Sequence, residues 1–437
     1  MKQRSVCETD SQCACVLGAE RRGLAKNTGF LYVLSLSSQV VNVALIPFET
    51  RVLGSEAYGV IAFAVAMSVT LSIFFDFGFI LSATEKTVRF KGEGDQLSTL
   101  LANVALAKLL LALTAGVVTT ALVIFVSPFK EHKAVFLLYY LAYAVNALLP
   151  DFFYRGYEDM KTITIRSVIV KVLFALPVFM LVSSPADMWI IPILLLGGNT
   201  AAVMFSYIDV KRRYGVTVRQ PSLRKVSLLL KESFGFFASR FATTFFQSMN
   251  SVVLGFLYPG QAVVGWYGAS EKFLSYAKVV SSPVADSLYP YMVRKRDFRL
   301  IGRMVLLAVP MILVSCGVVW HYATPLCLFV FGAGYEASAD LLRCLLPAVA
   351  VIFPSYIIGF PVLVPMGLAR YANRSTFVGA SVQVMLLCAL LAADALNAMS
   401  LCISSSVAEV SVFVYRLWAI WAHREYFRRP ERDANQS

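Results

Sequence analysis

Charged residues are scarce in the apolar stretches of this chain, and several of them recur at helical spacing. Arg240, Thr244, Gln247 and Ser251 follow at steps of four, three and four residues, which aligns them on one helix face. Glu271, Ser275, Lys278 and Ser282 repeat the same steps. Ser35, Gln39, Asn42 and Glu49 fall near one face of a third stretch. Apolar helices with polar stripes line a wet cavity and bind polar groups there; single Ser or Thr residues serve equally well as hydrogen-bonding glue between helices. The acids Asp76, Glu49, Glu271 and Glu409 are candidate protonatable groups. Glu271, beside Lys272 and seven residues before Lys278, is also a natural counter-ion for those lysines. Lys108 and Lys171 lie close enough to a helix end to snorkel to the headgroups. Nothing points to bond-breaking chemistry. The three histidines, His132, His321 and His423, are far apart, and the acids expected in outer loops (Glu131, Asp187, Glu336, Asp340 and Asp394) show no paired-carboxylate pattern.

The elements that position these residues are membrane helices. Hydrophobic residues make up 58% of the 437 positions and charged residues 15%, against about a quarter charged in soluble proteins. Twelve apolar segments are expected, at 27–48, 58–82, 98–126, 134–155, 161–183, 187–208, 233–257, 262–292, 299–330, 337–366, 373–393 and 397–421. Each approaches or exceeds the ~20 residues needed to cross a bilayer. The polar residues 1–26 do not read as a cleavable signal peptide, and Cys7, Cys13 and Cys15 in that tail have no neighbouring histidine to complete a metal site.

Basic residues gather on one side of this arrangement: in the N-terminal tail, at Lys86, Arg89 and Lys91, through 209–232, from Arg294 to Arg303 and from Arg416 onward. The other side holds Arg51, Lys130, Lys133 and Arg343. This asymmetry places both termini in the cytoplasm. It also accounts for the net charge of +13 without a nucleic-acid partner.

The chain echoes itself. Gly29-Phe30 recurs as Gly235-Phe236, Gln39 and Asn42 as Gln247 and Asn250, and Gly54 and Gly59 as Gly260 and Gly265, at offsets of 206 to 208 residues. Two six-helix halves, an even number each, make a parallel repeat about an axis along the membrane normal. The expected organisation is a cytoplasmic tail over 1–26, an N-terminal bundle over 27–208, a basic linker over 209–232, a C-terminal bundle over 233–421 and a basic tail over 422–437.

Four blocks resemble a known family. They are Ile46-Pro47 through Arg51-Val52-Leu53-Gly54 and Tyr58-Gly59 to Phe74-Phe75-Asp76-Phe77-Gly78-Phe79; Phe152-Phe153-Tyr154-Arg155-Gly156 with Glu158; Ala269-Ser270-Glu271-Lys272 with Ser282-Pro283 and Tyr289-Pro290-Tyr291; and Phe331-Gly332 with Tyr335-Glu336 and Gly367. Together they resemble the Wzx-type oligosaccharide-lipid flippases. Glu49, Glu85 and Arg155 depart from that pattern.

The resemblance implies an all-α polytopic membrane protein with two bundles around a V-shaped cavity. It also implies a non-enzymatic flippase that carries an undecaprenyl-diphosphate-linked oligosaccharide, such as an O-antigen unit, from the cytoplasmic to the periplasmic leaflet of the bacterial inner membrane. Under that reading Arg240, Lys272 and Lys278 attract the diphosphate, and Gln39, Asn42, Gln247 and Asn250 bond sugar hydroxyls. Asp76 and Glu271 either couple or brace the transporter, no cofactor or metal is expected, and membrane lipid, a polysaccharide polymerase and a chain-length regulator are the expected partners. The competing readings are a multidrug or cation antiporter, a peptidoglycan-precursor flippase of the same superfamily, and a membrane polymerase or glycosyltransferase.

Overall fold

The computed structural model describes residues 10–424, without the side chains of 10–40, 42, 242–247 and a few scattered positions. Gln39, Asn42 and Gln247 of the expected site, and the tail cysteines, lie outside the described side chains. The described chain is helical. Its first stretch, Asp10–Asp76, is two helices joined at Gly54, whose φ of 73° and ψ of 174° turn the backbone back on itself. We label these α1 (10–53) and α2 (55–76, continued by Phe79–Arg89). Then follow α3 (Gly94–Phe125), α4 (Lys133–Gly156), α5 (Met160–Leu181), α6 (Ile190–Tyr214), α7 (Leu223–Leu257) and α8 (Ala262–Lys295). The remainder are α9 (Phe298–His321, extended by Ala323–Phe331), α10 (Ser338–Ile358, extended by Phe360–Leu363), α11 (Ala369–Ala392) and α12 (Ala398–Ala422).

Nine helices among the described residues are long and apolar enough to cross a membrane. α1 and α2 share one of these spans, Val43–Arg89, and α7 and α8 fall outside the set; in α7 the side chains of 242–247 are not described, and the apolar part Ser248–Leu257 follows them. α8 carries Glu271, Lys272 and Lys278 within eight residues, which lowers its hydropathy. α7 begins at Leu223, ten residues before the apolar run at 233. The first turns of α7 are therefore built from residues that composition alone reads as linker.

The rest of the linker is strapped to α3. Thr217 N–H donates to Ser98 Oγ (3.2 Å), Ser222 N–H donates to Asn103 Oδ1 (2.8 Å), and Arg219 pairs with Asp95 (2.9 Å).

α2 is the helix on which the two halves meet. At its Gly54 end it runs parallel to α8 in a contact too close for side chains. A Cβ on Gly59 would stand 2.9 Å from Gly265 N, and a Cβ on Gly265 would stand 2.1 Å from Ser55 O. α2 also runs antiparallel to α7. Phe63 packs against Phe256 at one end, with ring centroids 5.5 Å apart, and Phe77 stacks on Phe237 at the other, 4.4 Å apart.

Candidate functional site

Three charge clusters each include a residue of α2, α7 or α8. The first is centred on Asp76. Phe77 (φ 43°) and Gly78 (φ 77°) interrupt α2 immediately after this residue. Beside Gly78 there is no room for a side chain: a Cβ there would lie 2.7 Å from Phe236 Cβ. Asp76 receives two cations. Lys108 Nζ of α3 lies 3.3 Å from Oδ1, and Arg240 Nη1 of α7 lies 3.3 Å from Oδ2. Lys108 is 6% exposed and also donates to Ala147 O at 2.8 Å. It does not snorkel; its charge is balanced inside the protein, where an unpaired ammonium would cost several kcal/mol. Arg240 remains 48% exposed. One carboxylate thus faces two cations, of which Arg240 is the more accessible. Arg240 stands at the middle of α7, about 25 Å from Leu223 at 1.5 Å per residue.

The second cluster lies wholly in the second half. Lys278 of α8 pairs with Glu409 of α12 at 2.6 Å. Glu271, the counter-ion suggested by sequence proximity, instead accepts a bond from Ser251 Oγ (2.9 Å). Seven residues along a helix leave Glu271 two turns from Lys278, whereas Glu409 comes from a facing helix at the same level. Arg416 of α12 is buried. Its Nη1 donates to Ser355 O (2.6 Å) and Ser355 Oγ (3.0 Å), and its Nε donates to Ser375 Oγ (2.9 Å). Lys278, Glu409 and Arg416 border one cavity of about 500 Å³.

The third cluster is at the Gly54 end. Glu49 is buried, and Lys272 is the cation whose field reaches it.

The other expected polar residue, Asn250, is buried and engaged. Its amide donates to Ser405 Oγ (2.7 Å), and its Oδ1 accepts from Gln383 Nε2 (2.7 Å). It ties α7 to α11 and α12. A comparable tie in the first half joins α4, α5 and α6. Arg166 pairs with Asp151 (2.7 Å) and donates to Ser206 Oγ (2.9 Å), while Tyr154 donates to Asp209 (3.0 Å).

Asp159 caps α5 beside this network. Burial raises its pKa, but bonds from Thr162 and Tyr214 and the charge of Arg213 outweigh that and hold it below the usual carboxylate range.

Sequence reading missed Arg416 because its position near the end of the chain grouped it with the basic tail. A signal was present: Ser405, Glu409, Val412 and Arg416 follow the same four-three-four steps as the stripes in α7 and α8. Among the described residues no three His, Cys, Asp or Glu side chains form a group able to hold a metal ion.

With nine helices among the described residues long and apolar enough to cross a membrane, this is a polytopic membrane protein of the two-lobe class. Two solved structures share that fold. One is the lipid II flippase MurJ in an inward closed conformation (TM-score 0.70, 12% identity, covering 90% of this chain and 89% of that one). The other is a multidrug resistance MATE family transporter of the MOP superfamily in an inward-facing conformation (TM-score 0.64, 13% identity, 91% and 99%). At sequence level, residues 24–295 match the polysaccharide biosynthesis protein family, and the chain belongs to that family. Two curated relatives carry the name "Putative O-antigen transporter". The one from Shigella dysenteriae is 25% identical over 83% of this chain and 91% of its own length, and the one from Escherichia coli K12 is 22% identical over 63% and 66%.

Proposed function

We propose that this protein is a flippase that moves a lipid-linked oligosaccharide, carried on undecaprenyl diphosphate, from the cytoplasmic to the periplasmic leaflet of the bacterial inner membrane. Both termini face the cytoplasm, and the halves 27–208 and 233–421 alternate in exposing a cavity between them. The observation that carries this reading is the Asp76 cluster, where Lys108 and Arg240 share one carboxylate between the halves. A diphosphate and a glycan do not cross ~30 Å of hydrocarbon unaided. A half-exposed arginine close to a second cation offers the phosphates a bidentate partner.

Among the cations expected to hold the diphosphate, Arg240 thus takes the leading role and Lys108 joins it. Lys278 is paired with Glu409 and contributes less to anion binding than Arg240, and Lys272 stands nearer the Gly54 end. Asp76 then serves as an internal anion that keeps the two cations in place while the cavity is empty of substrate. A contact between two halves in the middle of the helices is also where alternating access would be sensed.

The test is complementation of a strain lacking the gene, with its lipid-linked intermediates analysed. Arg240→Ala abolishes export and leaves intermediates in the cytoplasmic leaflet, while Arg240→Lys retains part of it, both at wild-type abundance in the membrane. Normal export by well-inserted Arg240→Ala sinks the assignment of the diphosphate to this cluster. Failure of the wild-type gene to restore glycan export sinks the flippase reading itself.

A further inference from the structure

The cavity beside Lys278 is unlike the Asp76 cluster in charge and in hydrogen-bonding character. Four helices build it: α8 supplies Lys278 and Asp286, α10 supplies Tyr356, and α12 supplies Glu409 and Arg416, with α11 closing the side through Thr376. Two cations face two acids, so it holds no net charge. Its volume, about 500 Å³, falls within the ~300–1,000 Å³ of small-molecule sites.

The donors and acceptors are only partly used. Arg416 is fixed through Nε and Nη1, and its Nη2 has no protein partner among the described residues. Glu409 receives Lys278 on one carboxylate oxygen, and among the described residues Asp286 receives only Ser282 Oγ, at 3.2 Å. The guanidinium is donor-only and the carboxylates are acceptor-only. A group that satisfies both must donate and accept from adjacent atoms, as vicinal hydroxyls do. Phosphate oxygens only accept, and here they would meet Glu409 and Asp286. Tyr289 and Tyr356 add ring surface to the same walls, with an apolar face and a polar tip on each.

We propose that this cavity is a sugar-binding subsite. It takes a neutral hexose or N-acetylhexosamine of the transported glycan, with Arg416 donating to one hydroxyl, Asp286 and Glu409 accepting from others, and a tyrosine ring against the C–H face. The proposal rests on the flippase reading and deepens it. The diphosphate and the sugar are recognised by different clusters, so the second half contributes selectivity for the glycan while the Asp76 cluster holds the anion common to all such carriers. Gly359 supports the geometry: a Cβ there would stand 2.9 Å from Arg416 Nη1, so a side chain at this position would push the guanidinium away from its serine anchors.

The test uses the full chain in nanodiscs and two kinds of probe: a polyprenyl diphosphate with no sugar, and the same lipid bearing one glucose, galactose or N-acetylglucosamine. Wild-type protein binds at least one sugar-bearing probe roughly tenfold more tightly than the bare lipid, a gap of about 1.4 kcal/mol. Asp286→Asn and Arg416→Lys erase that gap and leave the bare-lipid Kd within about twofold. Asp286 is exposed, so its variant keeps the test valid where the buried arginine variant fails to fold; the melting temperature of each is measured alongside. The assignment is overturned if the gap survives Asp286→Asn together with a folded Arg416→Lys. It is equally overturned if bare-lipid binding falls as far as sugar-lipid binding, because the cavity would then be reading phosphate. Wild-type binding to the bare lipid with no gain from any sugar overturns the subsite and leaves the flippase standing, whereas binding to neither kind of probe removes both.

Discussion

Gly59 and Gly265 are 206 residues apart in the chain and in contact in the fold, at the offset by which the sequence repeats. Equivalent residues of a twofold repeat meet only near its axis. Their contact therefore marks the axis where α2 and α8 cross, and it explains why both positions lack a side chain. Along the same helix and about 26 Å further, at 1.5 Å per residue, Asp76 meets Arg240 of the other half. The glycine crossing and the charge cluster are thus two ends of one interface.

Gly265→Ala drives a methyl group into Ser55 O, a backbone atom that does not move aside. A loss of about 1–3 kcal/mol is expected, as for other overpacked contacts, seen as a lower melting temperature in detergent or nanodiscs. Gly302→Ala, where the added atom meets nothing within 4 Å, is the control and melts at or above the wild-type temperature. Equal melting of the two variants contradicts the crossing.

Asp76→Ala strands the buried Lys108 and costs about 3–5 kcal/mol, the usual penalty for breaking a buried pair. Replacing Lys108 by Met in the same protein recovers a large part of it, so the double-mutant cycle shows a coupling of about 1–3 kcal/mol. Asp76→Asn keeps hydrogen bonding and separates bracing from titration. Normal export with Asp76→Asn marks the acid as a brace; folded protein that exports without pH dependence marks it as a coupling group. An additive cycle for Asp76 and Lys108 rules out the pairing.

Asp159 has a pKa held below its unfolded value, because bonds from Thr162 and Tyr214 and the Arg213 charge outweigh burial. A depressed carboxylate contributes stability above its unfolded pKa of ~3.9 and loses it as pH falls through the folded value. Asp159→Asn is therefore less stable than wild type at pH 7, by about 0.5–2 kcal/mol as for other helix caps, and the difference shrinks below about pH 4. A gap in melting temperature that stays constant from pH 7 to pH 3.5 argues against an ionised cap.

Reporter fusions test the orientation. A cytoplasm-active reporter works in the 215–222 connection and after residue 424, whereas sites at Pro259 and Asp394 require a periplasm-active one. A periplasmic C-terminus would remove the even number of spans.

Much of this protein was legible in its sequence because bilayer solvent imposes a simple rule. Backbone groups in hydrocarbon must bond within their own helix, so apolar length alone marks the spans, and the boundaries of α3, α5, α11 and α12 follow from it. The repeat was readable because two glycines were kept where two helices cross. The stripes in α7 and α8 were readable because a helix returns to the same face every three or four residues.

Pairing was not readable, since it depends on which helices stand side by side and at what depth. Lys108 looked free to snorkel and is buried against Asp76. Lys278 had Glu271 nearest along the chain and found Glu409 across the bundle. Asn250 sat on a polar helix and is bound by Gln383 and Ser405. Sequence by itself determined which residues are charged and which face of a helix each occupies. Only the tertiary structure decided which opposite charges share a level, because Coulomb attraction falls with distance in space and takes no account of distance along the chain.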